Sequence, residues 1–142
     1  MSTMIATPSQ ALVIWSLSWM QLYMSYYAFR IGNMDLSIST CCVFLTSLLY
    51  WSNPRNNWIR SMDIITSLYT ILLHAEKSFL LQYGRYKGHL LLSLLWYPLG
   101  WVMYWKKRYW LSIGCHAMLH GCGTIANYKM YQFIESKTPR LM

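Results

Sequence analysis

The charged residues of this chain lie almost entirely at the ends of long apolar stretches. Charged residues make up 11% of the 142 residues and hydrophobic residues 56%, whereas an average soluble domain carries roughly 25% charged residues. A soluble fold of this size must cover its surface with charge to stay dispersed. The sequence therefore predicts an all-α fold, an integral membrane helical bundle in which the apolar stretches cross a bilayer.

The basic residues form short groups between these stretches. The net charge is +8, and the groups are Arg55 with Arg60, Arg85 with Lys87, and residues 106–108. Nucleic-acid binders usually gather their basic residues on one surface of a soluble module. Short groups beside Trp and Tyr are instead typical of the flanks of membrane helices. We therefore expect a lipid bilayer as the partner and no nucleic acid.

Five apolar stretches are candidates for membrane-spanning helices in a single membrane domain of residues 1–142. The interpretation leaves four spans open, if the second or the fourth stretch is only partly inserted. No basic region precedes the first stretch, so we expect no cleaved signal peptide, and the kind of membrane stays open. The predicted spans are about 10–29, 36–51, 58–74, 89–105 and 109–131.

Asp63 is the first residue that could carry chemistry. An ionisable group at membrane depth is costly and is a candidate functional residue by default. Asp63, Ser67, Thr70 and His74 follow helical spacing, so they are expected to share one side of the third helix, facing other helices. An alternative interpretation pairs Asp63 with Arg60, three residues earlier, at the membrane interface.

His116 and His120 are four residues apart in the fifth stretch. This spacing places both imidazoles on one side of a helix, which suits a shared metal ion. A third ligand would have to come from another helix. The same pair could instead be structural, hydrogen-bonded to Ser, Thr or Tyr, because polar side chains often join membrane helices. The candidate third ligands are Asp63, His74, Cys41 and Cys42.

Gly114 and Gly121 lie seven residues apart in the same stretch. Small residues at this spacing share one side of a helix and let a second helix approach closely. We therefore expect them to form a packing seam. The four cysteines lie within apolar stretches and do not resemble a secreted disulfide framework, so we expect buried free thiols.

Two resemblances add to these predictions. Residues 50–65, which begin Tyr-Trp-Ser-Asn-Pro-Arg, look like a pattern in uncharacterised small multipass membrane proteins of algae and large DNA viruses. Separately, Ser47, Asp63 and the pair His116 and His120 resemble the arrangement in alkaline-ceramidase and adiponectin-receptor-like membrane hydrolases. That resemblance implies a zinc ion held by histidines, with Ser and Asp nearby. The family also has seven spans and a further His about one turn after the Ser, where this chain has Tyr50 or Trp51.

The function expected from the sequence is non-catalytic: a small accessory component of a larger membrane assembly, with other membrane subunits as partners and no cofactor. An intramembrane zinc-dependent hydrolase is the alternative enzyme interpretation. There His116, His120 and Asp63 would be at the metal, and Asp63 and Ser47 are the catalytic candidates. A third possibility is a proton or ion relay through Asp63, His74 and the histidine pair.

Overall fold

A computed structural model describes residues 5–55 and 58–137 of the chain. The described residues form five α-helices, so the predicted all-α fold is confirmed. Each of the five predicted stretches lies within one helix, and the last three helices extend further than predicted. The helices are α1 (Pro8–Arg30), α2 (Met34–Ser52), α3 (Trp58–Leu80), α4 (Gly84–Trp105) and α5 (Tyr109–Lys137).

One of the described helices is long and apolar enough to cross a membrane by length and composition alone. This helix is α2, which has a mean hydropathy of 1.3 and has 50% of its apolar stretch buried inside the bundle. A core helix of a soluble protein or a signal sequence can have the same properties. The arrangement of all five helices in a bilayer is therefore considered below as a proposal.

The five helices form a ring. Each helix contacts the next along the chain, and α5 returns to contact α1. The contact between α4 and α5 is the most extensive, and the contact between α3 and α4 is the least extensive of these neighbours. Short connections make consecutive helices antiparallel. We call the end of the bundle that holds the start of α1 and the connection between α4 and α5 the first end, and the opposite one the second end.

Three connections between the helices use the same tight turn. Gly32, Gln82 and Lys107 each have a positive φ, of 75°, 54° and 58°. In each turn the following residue donates its N–H to a carbonyl five residues back, at 2.9 Å, which satisfies an otherwise unpaired carbonyl at the helix end. Such short turns leave little of the described chain outside the bundle.

The second end contains the larger apolar core. Its buried members come from α1, α2, α4 and α5, and Leu73 of α3 packs against them. Tyr131, Met130 and Ala28 of this core are fully buried. A smaller core at the first end contains Ile14 and Trp51. The bundle is therefore more tightly filled at the second end than at the first.

The predicted glycine seam is wrong. A Cβ atom built on Gly114 or Gly121 would have nothing within 4 Å, so neither glycine is required by a close helix contact. The close approach occurs instead at Gly100 of α4, where a Cβ atom would lie 3.4 Å from Cβ of Cys115. The spacing of seven residues places the two glycines on one side of α5, but it does not show whether another helix packs against that side.

Candidate functional site at the first end of the bundle

The polar side of α3 faces the other helices, as the sequence predicts. The buried residues of α3 are all polar, namely Asp63, Thr70, His74 and Ser78. Ser67, the remaining member of the predicted set, is half-buried. This arrangement places a carboxylate and an imidazole inside the bundle, where each needs a hydrogen-bonding partner.

Asp63 finds its partners on α2. The hydroxyl of Ser47 donates to Oδ1 of Asp63 at 2.6 Å, and the hydroxyl of Thr46 lies 3.1 Å from the same oxygen. Thr46 is also 2.9 Å from the hydroxyl of Thr66 on α3. The structure thus brings together Ser47 and Asp63, two of the predicted site residues. The guanidinium of Arg60 lies 6.0 Å from the ring centroid of Trp101.

His74 is held in a different part of the bundle. Its Nδ1 lies 2.8 Å from the carbonyl oxygen of Thr70, and its Nε2 lies 2.7 Å from the hydroxyl of Tyr131. Because a carbonyl only accepts, Nδ1 carries the proton and Nε2 accepts from Tyr131. Eleven residues of helix separate His74 from Asp63, about 16 Å along the axis. The two groups proposed for a relay are therefore not in contact.

The two histidines of α5 contact aromatic rings. The ring centroids of His116 and His120 are 5.0 Å apart, and His116 is 5.1 Å from Trp51 in an edge-on arrangement. The predicted hydrogen bonds to Ser, Thr or Tyr do not occur for this pair within the described part of the chain. Residues 5–55 and 58–137 contain no group of three His, Cys, Asp or Glu side chains that could hold a metal ion.

A cavity of about 270 Å³ lies at the first end, and every helix contributes to its wall. Asp63 and His116 both border it, so the cavity is lined by two of the residues that the hydrolase interpretation of the sequence placed at one site. Gln10 and Trp51 also line its inner part and are buried. On the outer side, Trp101 is 42% exposed. The cavity thus leads from the outer surface of α4 to the polar interior.

Two indole groups at this cavity were not predicted from the sequence. Trp51 and Trp96 both line it, and their Nε1 atoms are buried without a hydrogen-bond partner in the described structure. A buried donor without an acceptor costs about 1–3 kcal/mol. The sequence offers no signal for these two among eight Trp residues, because their common feature arises only when α2 and α4 are placed together.

The second end is closed by charged contacts. The hydroxyl of Tyr27 donates to Oε2 of Glu135 at 2.7 Å, and Arg30 reaches Oε1 of the same carboxylate at 3.2 Å. Lys77 and Asp35 form a further ion pair at 3.2 Å. The acidic residues of this end therefore neutralise some of its basic ones. Glu135 was not predicted as a structural residue.

Comparison with known proteins identifies no relative. No family model, no curated protein and no solved structure matches the chain. The function must therefore be argued from the chain itself.

Proposed function

We propose that this chain is a multi-pass integral membrane protein that serves as a non-catalytic component of a larger membrane assembly. The observation that carries the proposal is an inverted distribution of side chains. On α3 the buried residues are all polar, whereas Ile65, Leu68 and Leu72 are more than half exposed. Water would penalise this arrangement, and a bilayer favours it.

Part of this pattern recurs on α1, which buries several polar residues alongside apolar ones. Gln10, Ser18 and Gln21 are buried, while Leu12 and Tyr23 are 60% and 57% exposed. Single exposed apolar residues are normal in soluble proteins. Rows of them on successive helices, opposite buried polar groups, form a large apolar surface, and such surfaces mark membrane or protein contacts. A hydrocarbon environment accounts for the buried polar side chains as well as for the exposed apolar ones.

Polar contacts between helices fit this environment. Nε2 of Gln21 donates to the hydroxyl of Thr124 at 3.2 Å, joining α1 to α5. The hydroxyl of Ser25 lies 2.8 Å from the carbonyl oxygen of Ser37, joining α1 to α2. In a bilayer, helices gain little from burying apolar surface against each other, so contacts of this kind and close packing hold them together.

Composition explains why α2 alone meets a hydropathy criterion. The other helices are rich in Trp, Tyr, Ser, Gly and His. The aromatic residues of α1, for example, include Trp15, Trp19, Tyr23 and Tyr26. These residue types lower the mean hydropathy, although Trp and Tyr prefer the membrane interface. A modest mean hydropathy is therefore compatible with a membrane helix whose outer surface is aromatic.

The role as an accessory component rests on the shape of the chain. The described residues are almost all helical, and three connections have three residues each, so little of the described chain could form a domain outside the bilayer. On α4 only Tyr86 and Ser93 are buried. The remainder of α4, including Leu91, Leu95 and Trp105, offers an apolar surface that a partner helix could cover.

The first test is the behaviour of the chain in cells. We expect it to remain in the membrane fraction after extraction at alkaline pH, and to migrate in mild detergent as a complex larger than the chain alone. Recovery in the soluble fraction would contradict the membrane proposal. Recovery from membranes as a chain without partners, at native expression level, would contradict only the accessory role.

Zinc content separates this proposal from the hydrolase interpretation of the sequence. A zinc enzyme would retain about one zinc ion per chain after gentle purification, and His120→Ala would remove it. An accessory component would show no stoichiometric zinc in either form. The comparison uses the same detergent-solubilised protein in both cases, so a difference reports on the metal site alone.

A further inference from the structure

We propose that the cavity at the first end binds the head group of an anionic phospholipid, which makes the chain a selective lipid-binding protein. This inference rests on the membrane placement proposed above. Any membrane protein contacts lipid without selecting it. The inference adds that this chain selects one class of lipid head group. Four observations carry it: the position of the cavity, its opening, its charge and the groups on its wall.

The position of the cavity corresponds to the level of lipid head groups. Its lining includes Tyr104 at the end of α4 and Tyr109 at the start of α5, whose ring centroids are 5.4 Å apart. These residues flank the connection between the two helices. In a bundle that crosses a bilayer, helix ends rich in Tyr and Trp lie at the interface. The cavity is therefore within reach of head groups.

The cavity has an exposed side on α4. Residues of α3 and α4 both line the cavity, and this pair makes the least extensive contact between neighbouring helices. Tyr97, Trp101 and Tyr104 of α4 line the cavity and are each about 40% exposed. A lipid could thus place its head group in the cavity while its acyl chains follow the outer surface of α4.

The charge at this end favours an anion. Arg60 lines the cavity, and residues 106–108, Lys-Lys-Arg, form the connection between Tyr104 and Tyr109. The one acidic group of the lining, Asp63, already accepts hydrogen bonds from Ser47 and Thr46. Basic pockets between membrane helices are suited to anionic head groups. At the second end basic residues also outnumber acidic ones in the described chain, but Arg30 and Lys77 there are paired with Glu135 and Asp35.

The lining also includes residues that can donate hydrogen bonds. Trp51 and Trp96 have buried indole N–H groups without an acceptor in the described structure, and Tyr97 and Ser112, which carry hydroxyl groups, also line the cavity. A phosphate carries several strong acceptor oxygens. Small rotations of the indole rings would let it accept from groups that are unpaired without a ligand. The apolar rings around them would contact the glycerol region of the lipid.

Lipid retention in the intact protein tests the proposal. The chain would be purified in micelles that contain equal amounts of phosphatidylglycerol and phosphatidylcholine, and the lipids that remain bound would be counted by native mass spectrometry. We expect about a fivefold preference for phosphatidylglycerol, the ratio that corresponds to about 1 kcal/mol from Arg60, the basic residue on the cavity wall, at about 1 kcal/mol per basic residue near a lipid surface. Equal retention of both lipids by the unchanged protein would overturn the proposal, whatever the variants show.

Three variants locate the site. Arg60→Gln is expected to reduce the preference to about one, and Arg60→Lys to keep it, because the positive charge remains. Arg85→Gln removes the same charge at the exposed start of α4, at the second end, and should keep the preference. A loss in Arg85→Gln as large as that in Arg60→Gln would overturn the assignment to this cavity. Failure of the chain to integrate into membranes would instead contradict the proposed membrane placement.

Discussion

Leu68→Arg is expected to prevent stable membrane integration of the chain. Leu68 lies near the middle of α3 and is 54% exposed, so the account places it against the hydrocarbon core. An arginine at the centre of a membrane helix costs about 3 kcal/mol, which lowers the ratio of inserted to non-inserted chains by about 100-fold. The measurement is the fraction of chain that resists alkaline extraction.

The matched control is Leu80→Arg, at the last residue of the same helix. Leu80 is also exposed, at 69%, but an arginine there can extend to the head groups and costs little. The two variants therefore have the same composition and differ in depth. If Leu68→Arg were as well tolerated as Leu80→Arg, α3 would not cross the bilayer, because in water an exposed arginine changes stability by about 0.5 kcal/mol or less.

Tyr131→Ala is expected to cause the largest loss of stability within the bundle. Tyr131 is fully buried, packs edge-on against Tyr27 with centroids 5.8 Å apart, and donates to His74. Truncation of a buried aromatic ring leaves a void and costs about 3–5 kcal/mol. The measurement is the free energy of unfolding in a mixed detergent, and the result bears on the packing of α3 and α5.

Tyr131→Phe separates the ring from its hydroxyl. It keeps the ring but leaves Nε2 of His74 without a donor, which costs about 1 kcal/mol, since hydrogen bonds between membrane helices average less than their counterparts elsewhere. The predicted order of stability is therefore the unchanged chain, Tyr131→Phe, then Tyr131→Ala. A loss in Tyr131→Ala no larger than that in Tyr131→Phe would show that the ring is not buried in the core.

Local patterns predicted the helices and the polar side of α3. Asp63, Thr70 and His74 follow the helical repeat, and their burial required only that α3 contact other helices. The same reasoning gave the existence of five helices. The predicted membrane span of α3 ends near His74, and the helix itself continues to Leu80 because its hydrogen bonds do not depend on the hydropathy of the side chains.

Contacts between distant helices were not predictable in this way. The partners of Asp63 lie 16 and 17 residues earlier on α2, and the partner of His74 lies 57 residues later on α5. A single sequence carries the periodicity of each helix but not the rotation of one helix against another. For the same reason the glycine seam was assigned to α5, while the close approach occurs at Gly100 of α4.

The most direct test of the membrane account uses the reactivity of a native thiol. Cys42 on α2 is a free cysteine that is exposed, not buried as the sequence predicts, so a chain in water would react there with a charged maleimide. If its surroundings are hydrocarbon, Cys42 stays unlabelled in intact membranes, while Ser136→Cys, at the exposed end of α5, is labelled. Mass spectrometry of the two peptides gives both yields in one sample. Equal labelling at the two positions would contradict the account.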